Sequence, residues 1–147
     1  MNKKQKAVFL IGAAILLSCG THNLRTYKPL VKSEHSITVP AGGLYLNGGL
    51  KDVLIKNGWK LFIDTDTMGL EGDKEPSVKL TGKRKIKSKY QLFVYFNKRD
   101  VCLDNTAFGR YDISIIDNDN EEEVMTLSGV GCESAIIKHF EKWLNNK

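Results

Sequence analysis

The chain has 147 residues, 41% hydrophobic and 27% charged, which suits one modest globular domain and excludes a disordered or multi-domain protein. Its formal charge of +5 includes Lys3, Lys4 and Lys6. If residues 1–18 are removed, as argued next, about +2 remains, too little to argue for a nucleic-acid partner.

Residues 1–18 divide into a lysine-bearing start and an unbroken apolar run of eleven residues, Ala7–Leu17. As a helix that run is about 16 Å long, whereas a bilayer core of about 30 Å needs nearer 20 apolar residues. It reads as a cleaved export segment, not a span. The run ends in Leu16-Leu17-Ser18-Cys19, which resembles the lipobox of bacterial lipoproteins. The resemblance implies cleavage after Ser18, a diacylglyceryl thioether on Cys19 and an acylated (for example palmitoylated) amino group. Gly20, in place of the Asp that retains family members at the inner membrane, implies a protein tethered to the outer membrane and facing the periplasm. Residues 19–35 are polar, contain Pro29 and lack periodicity. They are expected to be a flexible tether with a reach of about 20–25 Å.

Residues 36–147 are expected to form a single domain. Ser36–Val39 alternates and is β-branched, a strand stopped by Pro40. Leu46, Leu50, Val53 and Leu54 recur at helical spacing within Leu44–Asn57, with Gly58 placed to end the helix. Trp59–Ile63 reads as a strand. Lys83–Phe96 reads as a longer one, solvated on one face in its first half and covered on both faces beyond Gln91. Tyr111–Ile116 and Glu122–Ser128 form a hairpin across Asp117–Asn120, broken by Gly129 and Gly131. Ser134–Leu144 is an amphipathic helix. The order β-α-β-β-β-β-α predicts an α+β two-layer sandwich, an antiparallel sheet with both helices on one face. In layout it is similar to small envelope lipoprotein domains, a fold-level analogy that assigns no site.

Export leaves Cys102 and Cys132 in an oxidising compartment, where such a pair is expected as a disulfide. The competing reading makes Cys132 a nucleophile at a helix start, with His22, His35 or His139 as base. Asp64, Asp66, Gly69 and Glu75 coincide with calcium-loop positions, but Met68 offers no oxygen and flanking helices are missing. The segment is therefore read as an acidic surface loop. Lys85, Lys87 and Lys89 are expected to project from one strand face as a contact for anionic lipid, glycan or an acidic envelope protein. No catalytic triad, zinc spacing or cofactor-binding glycine motif occurs. The reading is a membrane-anchored, non-enzymatic accessory protein without cofactor. An immunity lipoprotein that neutralises a toxic enzyme and a cryptic hydrolase are the alternatives.

Overall fold

Alternation governs the longest strands. Tyr111, Ile113, Ile115 and Asp117 are buried while Asp112 faces solvent, the period-2 signature of a sheet covered on one side. The computed structural model describes residues 20–31, 33–64 and 88–146. They form β1 (Thr21–Thr26), β2 (Ser36–Pro40), α1 (Leu46–Lys56), β3 (Lys60–Asp64), β4 (Tyr90–Val101), β5 (Ala107–Asp117), β6 (Glu122–Cys132) and α2 (Glu133–Asn145). The expected signal peptide, Cys19, Asp66, Glu75, Lys85 and Lys87 lie outside the described residues.

The class is α+β, with six strands in the order β1-β6-β5-β4-β2-β3. The sheet is mixed, however, where an antiparallel one was expected. β2 runs parallel to both β3 and β4, because α1 carries the chain back along the sheet between β2 and β3. The ladder between β2 and β4 is short, Ile37↔Tyr90 and Thr38↔Gln91. Side chains reinforce it: Thr38 Oγ1 lies 2.7 Å from Ser88 Oγ, and Ser36 Oγ accepts from the Lys89 amide at 3.0 Å.

A further correction concerns the expected tether. Residues 21–26 form an edge strand, paired with β6 from Thr21↔Val130 to Thr26↔Met125. Its six side chains are exposed or only half-buried, so the strand leaves no apolar pattern to read. β6 also runs past Ser128 to Cys132, through the glycines expected to break it. β4 begins at Tyr90 and not at Lys83. Phe93 and Tyr95, expected to be covered, are 44% and 51% exposed on the face away from the helices.

Both helices pack on the other face. Leu46, Leu50 and Leu54 of α1 and Ile136 and Phe140 of α2 meet Ile37, Ile113, Met125 and Leu127 of the sheet, all fully buried. Gly58, at φ +77°, takes the left-handed position that ends α1. Gly49 lies where the helices touch, since a Cβ there would fall 2.1 Å from Ile137 Cδ1. That close approach accounts for a glycine inside α1.

Cys102, just after β4, is joined by a disulfide to Cys132 at the end of β6, with Cα atoms 6.0 Å apart. The bond closes a 30-residue separation, which on the chain-entropy account stabilises the fold by about 3–4 kcal/mol. Reduction, or the double change Cys102→Ala and Cys132→Ala, should lower the midpoint of denaturant unfolding correspondingly. An unchanged midpoint would show that the cross-link does not limit the unfolded chain.

Candidate functional site

A strand that carries no side chains at alternate positions opens a passage across one face of a sheet. Gly129 and Gly131 do this on β6. His22 of β1 lies level with Gly129, and Gly129 lies level with Tyr111 of β5. A Cβ on Gly131 would sit 2.7 Å from His22 Cε1, and one on Gly129 would sit 1.8 Å from the Thr21 carbonyl oxygen. With that strip bare, His22 reaches across β6 and places Nδ1 2.6 Å from Tyr111 Oη. His139 of α2 lies against the same imidazole, with ring centroids 4.3 Å apart.

Electrostatics sets the protonation of this cluster. Burial, and secondly the neighbouring His139, lower the pKa of His22 below its ordinary value. Burial pushes the Tyr111 phenol up to about 12. At neutral pH His22 and Tyr111 therefore form an uncharged hydrogen-bonded pair, which fastens β1 to the sheet. Beside it Leu24, Thr26, His139, Lys142, Trp143 and Asn146 line an open groove between β1 and α2. Trp143 Nε1 donates to Thr26 Oγ1 at 3.0 Å across that groove.

The residues singled out from sequence fall elsewhere. The Cys132 sulfur is held in the disulfide, so it has no thiol to activate, and His139 is turned to His22. His35 stacks near Trp59 at 5.1 Å. Lys89 sits in the bend before β4, its side chain only 15% exposed, with Nζ 2.5 Å from Asp119 and 3.1 Å from Asp117. Hydrogen bonds to Asp119 and then Asp117 raise its pKa. This ammonium is thus committed within the fold, and the expected outward row of Lys85, Lys87 and Lys89 does not hold at its third member. Asp64 closes β3. Among the described residues no three His, Cys, Asp or Glu side chains gather as a metal-ligand set, and no helix is long and apolar enough to cross a membrane.

No protein-family model matches the chain, and no curated protein matches it. Among solved structures it is similar to the PelC dodecamer from Paraburkholderia phytofirmans, with a TM-score of 0.52 at 16% identity. A point variant of the same protein gives a TM-score of 0.50 at 14% identity. Each alignment covers 85% of this chain and 94% of the other. At such identities the likeness establishes a shared fold.

The His22 cluster has a measurable signature. A folded-state pKa below the ordinary histidine value of about 6.5 means that the unfolded chain binds the proton more tightly. His22 therefore contributes no penalty well above pH 6.5, and stability should fall as the pH drops through that value. Denaturant midpoints compared between pH 7.5 and pH 5 should show a shallower pH dependence for His22→Gln than for the wild type. Tyr111→Phe should cost about 0.5–1.5 kcal/mol through the lost hydrogen bond. Identical slopes for His22→Gln and wild type would exclude the assigned role.

Proposed function

We propose that the protein is a lipid-anchored component of a bacterial cell envelope that acts by binding other envelope macromolecules and not by catalysis. The observation that carries this reading is the sheet face turned away from both helices. On β4 and β5 that face presents Phe93 and Tyr95 beside Arg110 and Asp112, all exposed. Aromatic groups ringed by charge are the usual composition of a protein-binding patch. The anchor half of the reading rests on Leu16-Leu17-Ser18-Cys19.

The likeness to PelC, whose structures are described as dodecamers, supports including further copies of this chain among the partners. An envelope protein of different sequence fits the same patch. Nothing in the site favours the immunity or hydrolase alternatives.

Two experiments test the two halves separately. Cys19→Ala should abolish incorporation of labelled fatty acid and leave residues 1–18 uncut, and a variant that still takes label would refute the anchor. Phe93→Asp combined with Tyr95→Asp should leave the thermal midpoint nearly unchanged, because both side chains are exposed. The same double change should sharply reduce cross-linking of the anchored protein to its neighbours in intact envelopes. Undiminished cross-linking would move the binding surface elsewhere.

A further inference from the structure

We propose that the loop between β4 and β5, residues 102–106, rests on the lipid surface, with Leu103 entering the interfacial layer; this rests on the reading of Cys19 as the acylated residue. The first argument is position. Thr21 pairs with Val130, and Gly20 packs against Gly131, where a Cβ would lie 3.4 Å from its Cα. Only Gly20 separates Cys19 from β1, and consecutive Cα atoms are about 3.8 Å apart. An acyl chain on Cys19 therefore holds the end of the sheet where β6 finishes directly at the bilayer. Register carries that level across the sheet: Val130 lies beside Arg110 and Arg110 beside Asn97, then Cys132 beside Phe108 and Phe108 beside Asp100. The chain from Val101 to Ala107 projects beyond it, on the lipid side.

The second argument is the build of the loop. The disulfide fixes it to β6. The Cys102 amide donates to the Thr106 carbonyl at 2.8 Å, and the Asn105 amide donates to the Cys102 carbonyl at 3.0 Å. Asp104 braces the loop at the surface, its carboxylate accepting from Ser134 Oγ at 2.5 Å and from Thr106 Oγ1 at 2.6 Å. Those bonds hold its pKa down to about 2, so Asp104 stays ionised at neutral pH with its charge held by donors of the fold. Leu103 is as exposed as in an extended chain, with Val101 exposed before it and Asp104 and Asn105 exposed after it. A loop braced by a disulfide and internal hydrogen bonds, with a leucine at its apex and polar groups beside it, is suited to the polar–apolar boundary of a bilayer.

The third argument is charge. Lys98, Arg99 and Arg110 lie near this end, balanced by Asp100, Asp104 and Glu133. The opposite end of the antiparallel β5–β6 hairpin carries Asp117, Asp119 and Glu121–Glu123, only partly offset by Lys89 against Asp117 and Asp119 and by Lys28 against Glu122. An anionic lipid surface accepts the balanced first end more readily than the second, where acidic groups remain in excess.

The test uses the full-length, acylated protein reconstituted into phosphatidylethanolamine–phosphatidylglycerol vesicles whose acyl chains carry bromine, a contact quencher of tryptophan. Trp59 and Trp143 are buried and supply a constant background. Leu103→Trp should be quenched several-fold more than Ile55→Trp at the far end of α1 or Phe93→Trp on the open sheet face. Both comparison sites are exposed, and an interfacial contact reaches only about 5–10 Å into the boundary. Acylated, vesicle-bound protein with equal quenching at all three sites overturns this proposal and leaves the anchor standing. Strongest quenching at Phe93→Trp overturns it in favour of face-on contact. A shielded but unquenched Leu103→Trp assigns the loop to a second copy and overturns it. Protein whose mass lacks acyl chains and which does not sediment with vesicles removes the anchor and the loop contact together.

Discussion

The bare strip on β6 is the constraint on which the N-terminal part of this domain depends. A side chain at Gly129 would collide with the backbone of β1, and one at Gly131 would collide with the His22 ring. Without both glycines the edge strand would stand off from the sheet, Tyr111 would lose its hydrogen-bond partner, and Trp143 would lose Thr26. The same contact brings β1 to within one residue of Cys19 in the sequence, where composition predicts a tether of about fifteen.

The fold was partly legible in the amino-acid sequence, and the division has physical causes. Elements that bury apolar groups periodically were readable: Leu46, Leu50, Val53 and Leu54 on α1, Ile136, Phe140 and Trp143 on α2, and the alternation in β5. β1 was not, because Thr21–Thr26 pairs through its backbone and buries almost nothing. Parallel pairing of β2 was not either, since a strand of five residues does not encode the direction of its neighbour. Phe93 and Tyr95 misled for the opposite reason, because aromatic residues on an open sheet face look like core residues in sequence.

The sites divide in the same way. Cys102 and Cys132 followed from count and compartment, without geometry. His22 and His139 are 117 residues apart in sequence and meet only because β1 folds onto β6. The one sequence signal for that meeting was Gly129-Val130-Gly131, and its spacing of two in a strand points to close approach as readily as to chain breaking. Lys89 illustrates a converse limit. A lysine among lysines looks solvated, yet the acidic turn after β5 is folded against it.

The two-rung ladder between β2 and β4 has a consequence for motion. It is the seam of the sheet: on one side lie β2, α1 and β3, and on the other the continuous meander β4–β5–β6 with β1 and α2. The meander is cross-linked by its disulfide and built from near-neighbour hairpins, the kind of pairing that forms early in folding. The smaller half is held across the seam by Ile37, Thr38 and the hydroxyls of Ser36 and Ser88, together with the side chains that α1 lends to the shared core. Cooperative units of unequal strength separate at such boundaries. Amide protons of β3 and α1 would therefore exchange through a partial opening that leaves β4–β6 intact, making this small domain two units of stability within one continuous sheet.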